Sequence, residues 1–222
     1  MAESSRDRAF FDAIARRYDR VYAESGAASR ESLAAMVTAL VGRTRVLVLG
    51  VGTGRELSAL LDAGHAPVGL DFSQEMLDLC DRRARRVPLV RGDFWQPLPF
   101  EAGTFDAAIA LHGTLAHPPE DQASLASLAR ELARVIARPA TIVVEVPTLA
   151  MADKIPDALE LPDGRRMTRA GARLLHEDTV VSASIEARLL PAETYAEAFE
   201  TARFTVAVSM RPDGVAALLA RA

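Results

Sequence analysis

Residues 44–54, TRVLVLGVGTG, run an apolar stretch straight into three alternating glycines, and residues 55–63 follow with Leu57, Leu60 and Leu61 on one helical face. A strand that turns through glycine into a helix leaves free backbone amides at the helix N-terminus. With no Cβ at Gly50, Gly52 and Gly54, a ligand can come close to the chain there. The stretch predicts a strand, a cofactor-binding turn and a helix, and so an α/β fold.

The same alternation continues outward. Short apolar runs at 66–71, 87–91, 105–111 and 140–146 read as further strands, with helices at 74–86 and 119–137. Pro119, Glu120 and Asp121 suit a helix start, because proline lacks an N–H the first turn cannot use and acids favour the positive end of the dipole. Two more helices are expected ahead of the sheet, at 6–22 and 28–41. Past 147 the pattern weakens: ELPDG at 160–164 is a turn, 171–190 an extended element, 192–202 a helix and 203–210 a last strand. Strands alternating with helices call for a mostly parallel sheet covered on both faces. A chain of 222 residues without repeats, linkers or charge blocks is expected to form a single domain over 1–222.

Composition narrows the function. A net charge of -4 and a pI near 5.6 argue against a protein that coats duplexes, which needs a broad basic face. Neither nucleic acid nor a membrane is an expected partner. Cys80 is the only cysteine, which excludes a disulfide framework and a cysteine-based zinc site, and no metal is expected. The chain has no asparagine, so no reaction centre is built on that side chain. No apolar run approaches about 18 residues and residues 1–20 lack a secretory leader, so a soluble, cytoplasmic protein is expected.

Two acids give the glycine turn a context. Asp71 closes the second strand, 21 residues after Gly50, where a carboxylate takes both hydroxyls of a ribose lying over the loop. Asp93 follows the third strand in GDF; an acid there accepts an adenine amino hydrogen, and Phe72 or Phe94 offers a flat apolar face to the ring. The dinucleotide fingerprint G-x-G-x-x-G needs glycine where Arg55 stands, which disfavours NAD. No glycine loop is followed by Lys and Ser or Thr, which excludes a P-loop.

Together, VLVLGVGTG at 46–54, GLDFSQEML at 69–77, GDFWQPLPF at 92–100 and FDAAIAL at 105–111 resemble, in order and spacing, the class I S-adenosylmethionine-dependent methyltransferases. The resemblance covers most of 5–147, and ETYAEAFETARFTV at 193–206 is similar to the family's last helix and strand. It implies a Rossmann-like sheet of seven strands, the last antiparallel, with S-adenosyl-L-methionine lying across the carboxyl ends of the early strands. The implied activity is methyl transfer to an oxygen or nitrogen of a small-molecule acceptor. By position, Gly50, Gly52 and Gly54 face the donor, Asp71 holds its ribose, and Asp93 with Phe94 holds its adenine. Phe72, Met76 and Leu111 lie beside it and Tyr18 over it. The resemblance also divides the chain into a helical lid (1–42), a donor-binding half (43–147) and a substrate-side half (148–222).

Three positions depart from the family pattern. Its acid two residues before the first glycine is Val48 here, which cannot offset the donor's ammonium, so another group must, or the protein binds donor without turnover. The glycine pair before the fifth strand is replaced by Arg138, Pro139 and Ala140, and the glycine before the last strand by Arg203. These two bear on turn geometry.

The acceptor side lies past the fourth strand, in LHGTLAHPPED at 111–121. His112 and His117 are the candidate catalytic bases, because an imidazole near neutral pKa takes a proton from a hydroxyl or ammonium nucleophile. HPPE at 117–120 differs from the motif of exocyclic-amine methylating enzymes in lying six residues late and ending in Glu120, which disfavours a nucleobase or glutamine-amide acceptor. Nine of only 12 aromatic residues fall near the donor motifs or in FFDAIARRYDRVY at 10–22. There Phe11 and Ile14 are expected to pack and Tyr18 to reach the donor. Arg82, Arg83, Arg85 and Arg86 read as a solvated helix end.

Overall fold

The computed structural model describes residues 2–22, 26–84, 86–117 and 123–222. The opening strand is β1 (Arg45–Leu49), followed by β2 (Ala66–Asp71), β3 (Leu89–Arg91), β4 (Phe105–Ala110) and β5 (Ile136–Pro147), all parallel. Beyond β5 lie β10 (Thr205–Met210) and β11 (Val215–Arg221). The seven strands run in the order β10-β11-β5-β4-β1-β2-β3, with β11 antiparallel to both neighbours. The segment 193–206 thus supplies the sixth strand rather than the last. Residues 215–221, VAALLAR, make the antiparallel seventh, and its inward alternation is Ala216, Leu218 and Ala220.

Strand alternation decides which helices cover which face. In β1, Leu47 and Leu49 point into the layer built by α5 (Ala123–Val135) and α7 (Ala192–Thr201). Val46 and Val48 point the other way, onto Met36 of α2 (Gly26–Ala39), Leu40 just after it, and Leu57 and Leu60 of α3 (Leu57–Asp62). Helix α4 (Gln74–Arg83) adds Leu77 and Cys80 to that layer. In α5 the buried residues Leu125, Leu128, Ala129, Leu132 and Val135 recur at helical spacing. The expected helix start at Pro119–Asp121 lies outside the described residues. β5 begins four residues earlier than expected, and Arg138, Pro139 and Ala140 fall in a strand whose register against β4 shifts there.

The stretch read as weak holds a second sheet. After the single-turn helix α6 (Leu149–Ala152), strands β6 (Ala158–Glu160), β7 (Arg165–Ala170), β8 (Arg173–Asp178) and β9 (Ala183–Arg188) form an antiparallel meander. Helix α1 (Ala2–Tyr22) lies between this sheet and α4, burying Phe10, Ile14 and Val21 with Met76 and Ile185. Of the expected lid, only α1 is placed as a cover; α2 packs under the main sheet. No described helix is long and apolar enough to cross a membrane.

Candidate functional site

One cavity of about 400 Å³ opens where the parallel strands end. Its floor is formed by the residues following β1 to β4, its cover by α1 and its far wall by β8 and β9. Apart from Gly54, each residue expected to bind the donor or act as a base lines this hollow.

The glycine loop divides its work. Gly50 has φ +58 and Gly52 φ +52, a region that L side chains rarely adopt. A Cβ on Gly52 would meet only the Gly50 carbonyl, at 3.9 Å, so the chain surface there is open to a ligand. Gly54 serves differently: a Cβ would come within 2.7 Å of Cys80 Sγ, so this glycine lets the loop pack on α4.

Asp71 is buried, and its two carboxylate oxygens accept the backbone amides of Gly52 (2.8 Å) and Ser73 (2.9 Å). Burial pushes its carboxyl up to about 6 against the pull of those amides. Each oxygen keeps a lone pair for a ribose hydroxyl. Asp93 accepts the Trp95 amide at 2.9 Å, and Phe94 and Trp95 pack with ring centres 5.1 Å apart at the same end.

Helix α1 is fastened over this end at several points. The Ser73 hydroxyl, which also caps α4, donates to Asp12 at 2.6 Å, and the Thr53 hydroxyl donates to Asp19. Arg83 binds both the Thr53 carbonyl and Asp19 while its side chain stays exposed, so this member of the solvated arginine run also tethers α1. Arg17 forms a buried ion pair with Asp178 of β8 at 2.9 Å, and Arg165 lies 5.1 Å from the centre of the Tyr22 ring. Tyr18 faces the cavity and is surrounded enough that burial raises its phenol above the ordinary range. Phe11 packs on the Phe10 and Ile14 cluster as expected and also lines the cavity, against Phe72 at 5.8 Å and His117 at 5.9 Å. Phe10 takes the buried place.

The two histidines are in different settings. His117 Nδ1 lies 2.9 Å from the carbonyl of Glu186 in β9 and donates to it, and burial lowers the imidazole below its ordinary value. His112 adopts φ +55, and burial pushes its ring down to about 4, with Arg55 and Arg211 adding to the shift. Its Nε2 sits 3.3 Å from Glu56 Oε1 without making a hydrogen bond, and its Nδ1 lies 3.9 Å from Glu145. Burial in turn pushes the Glu56 carboxyl up to about 7.

Sequence reasoning missed Glu56, Glu145, Arg211 and the wall residues Leu174, His176, Ile185 and Ala187. Glu56 directly follows the glycine loop, and an acid at that place reads as an ordinary helix-start residue. The signal for the wall was the two-residue spacing of Leu174 with His176 and of Ile185 with Ala187.

A hollow at the carboxyl ends of a parallel sheet, at the point where strand order reverses between β1 and β4, defines a Rossmann-like enzyme domain that takes a nucleoside-containing ligand. Comparison with known proteins makes the class specific. Residues 46–138 match the sequence model of the family described as a methyltransferase domain. A demethylmenaquinone methyltransferase from Renibacterium salmoninarum is 33% identical over 125 residues, 55% of this chain and 52% of that one. An 18S rRNA (guanine-N(7))-methyltransferase from Bos taurus is 44% identical over 66 residues, 30% of this chain and 24% of that one. The chain thus spans from about a quarter to about half the length of these curated relatives. Among solved structures, the CcbJ methyltransferase from Streptomyces caelestis superposes with a TM-score of 0.77 at 20% identity, covering 96% of this chain and 97% of that one. The comparisons thus support a methyltransferase domain over residues 46–138, on the fold of S-adenosylmethionine-dependent methyltransferases, with S-adenosyl-L-methionine as the cofactor they support.

Proposed function

We propose that the protein transfers the methyl group of S-adenosyl-L-methionine to an oxygen or nitrogen of a small-molecule acceptor. The carrying observation is continuity: Gly52 and Asp71 line one end of the same hollow whose other end is lined by Leu174, His176 and Ile185. The donor supplies a methyl group on a sulfonium, and in-line displacement then needs placement more than covalent help. The glycine loop and Asp71 fix the nucleoside, Phe94 and Trp95 offer ring faces at the adenine end, and α1 with the second sheet keeps water out.

His117 is assigned the base. With Nδ1–H held by the Glu186 carbonyl, Nε2 retains its lone pair toward the cavity, and its lowered pKa keeps the ring neutral. Bound at the glycine-loop end, the donor would supply the methyl group and leave with the sulfur's electron pair, and His117 Nε2 would take the proton that the acceptor gives up. His112, pressed against Glu56, is placed at the donor end.

Several features favour a small acceptor over a nucleic acid: the cavity is roofed by α1 and walled by β8 and β9, the net charge is -4, and the identity to the rRNA enzyme reaches only 30% of the chain. Lone, buried Cys80 suits a reducing, cytoplasmic setting. The test is incubation with methyl-labelled donor and a panel of small amines and hydroxylated compounds, with ribosomal RNA in parallel. Label in a small acceptor is expected. Label in RNA alone would overturn the assignment, and label in neither would favour a donor-binding protein without turnover. His117→Ala should lower kcat about a hundredfold while affinity for S-adenosylhomocysteine stays within about twofold.

A further inference from the structure

The departure at Val48 leaves the ammonium of the donor's amino-acid arm without the carboxylate that usually meets it. Val48 is buried in the apolar layer beneath α2 and α3. We propose that Glu56, with His112, is the site that takes this ammonium. The inference rests on the donor-site reading above and extends it to the arm that the family pattern leaves unassigned in this chain.

The Glu56 side chain stands at the start of α3, on the same side of the sheet as Val48, and lines the cavity immediately after the glycine loop. It makes no capping hydrogen bond to the helix it precedes. Other acids on the cavity wall are already engaged by cationic or amide donors: Asp71 by two amides, Asp93 by Trp95, and Glu145 by the Ser32 hydroxyl and by Arg211. Glu56 has a hydrogen bond from its own backbone amide but no cation bound to it, and it faces an imidazole.

That imidazole sharpens the chemistry. His112 is neutral at ordinary pH, so one ring nitrogen carries a lone pair; with the proton on Nδ1, the edge toward Glu145, that lone pair is on Nε2. Nε2 is buried with no hydrogen-bond partner, 3.3 Å from Glu56 Oε1. When Glu56 is ionised, two buried acceptors stand side by side with no donor between them, a costly arrangement unless a proton or a ligand brings one. An ammonium, with positive charge and three N–H groups, satisfies both at once. The left-handed backbone of His112, uncommon for a residue with a Cβ, is what turns the ring into this place.

The groups facing Glu56 come from several elements: Arg55 beside it, Arg83 on α4, Tyr18 on α1, Glu145 on β5 and His112 after β4. Arg55 and Arg83 favour the carboxylate, Glu145 opposes it, and burial outweighs the two cations. Around pH 7 the empty site is therefore partly protonated, and donor binding must displace that proton. Affinity for a ligand carrying the ammonium rises with pH up to about 7 and levels off above it. Asp71 adds its own dependence near pH 6, but through the ribose, which a ligand lacking the amino-acid arm shares.

The experiment compares S-adenosylhomocysteine with 5′-methylthioadenosine, which keeps the nucleoside and sulfur but has no ammonium, by calorimetric titration from pH 6 to 8. For the full wild-type chain, the ratio of the two affinities should rise about threefold to tenfold over that range. Glu56→Gln, which keeps the shape, should weaken S-adenosylhomocysteine about tenfold to a hundredfold, leave 5′-methylthioadenosine within twofold and flatten the ratio against pH. An equal effect on both ligands, or on neither, would overturn the role of Glu56. Failure of the wild-type protein to bind either ligand would overturn the donor-site reading itself, a separate and recognisable result.

Discussion

The donor end and the acceptor wall of the cavity are built by different rules. At the donor end, Gly50, Asp71, Asp93 and His112 sit at or within two residues of a strand terminus, and the backbone itself takes part: Gly52 donates its amide to Asp71, and Ser73 both binds Asp71 and caps α4. At the wall, Leu174, His176, Ile185 and Ala187 reach the cavity because alternate residues of β8 and β9 face it, and no special backbone geometry is needed. The first arrangement tolerates few substitutions. The second permits a change of acceptor by exchanging side chains on a constant frame.

Helix α1 joins the two ends, so breaking its attachment should have the largest effect. Arg17→Met leaves Asp178 buried without its cation, softened by the Val180 and Val181 amides that Asp178 also accepts. A loss near the lower end of the usual range for such pairs, about 3 kcal/mol in urea unfolding, is expected. A loss below about 1 kcal/mol would mean that α1 is not pinned to the wall. Next in size is Asp71→Ala, which removes a carboxylate holding the loop and facing the nucleoside. Affinity for S-adenosylhomocysteine should fall about a hundredfold, some 2.7 kcal/mol, from the loss of charge-assisted hydrogen bonds. 5′-Methylthioadenosine should suffer equally, in contrast to Glu56→Gln.

How much of this was legible in the sequence follows the same division. Gly50, Gly52 and Asp71 could be read because glycine in a left-handed turn and an acid at a strand end are local requirements. Five strands of the main sheet followed from apolar runs bounded by turns. The second sheet was legible only as an extended stretch, since β7, RRMTRA, carries arginine on both faces and has no apolar face to reveal it. β11 was missed because VAALLAR, rich in alanine and leucine, fits a helix as well as a strand, and pairing with β5 and β10 decides the matter. Glu56 and His112 were opaque for another reason. Their meaning is burial without a mutual hydrogen bond, a property of packing that no spacing encodes.

The wall offers a smaller effect that separates the two ends. His176 is buried enough that its imidazole is pushed down to about 4, with His117 and Arg165 adding to the shift, so it is neutral and lines the acceptor side. His176→Phe keeps the ring and removes its nitrogens. kcat/KM for an acceptor found in the labelling panel should fall about tenfold, near 1.4 kcal/mol, while S-adenosylhomocysteine binding stays within twofold. A parallel loss in donor binding would show that the two ends are not separable.

The smallest expected effect lies far from both ends and tests the main sheet alone. Arg203 joins α7 to β10 with φ +67, where the family pattern has glycine. Its side chain is exposed, while its amide closes the helix by donating to the Glu200 carbonyl at 2.9 Å. A residue with a Cβ costs roughly 1–2 kcal/mol in this conformation, and glycine removes that cost at the expense of a more flexible unfolded chain. Arg203→Gly should therefore stabilise the protein by about 0.5–1 kcal/mol in urea unfolding, with donor affinity and turnover unchanged. If it destabilised instead, the turn would owe its shape to the arginine side chain, and the connection before β10 would have to be counted as specified by this chain's own sequence rather than relaxed from the family's glycine.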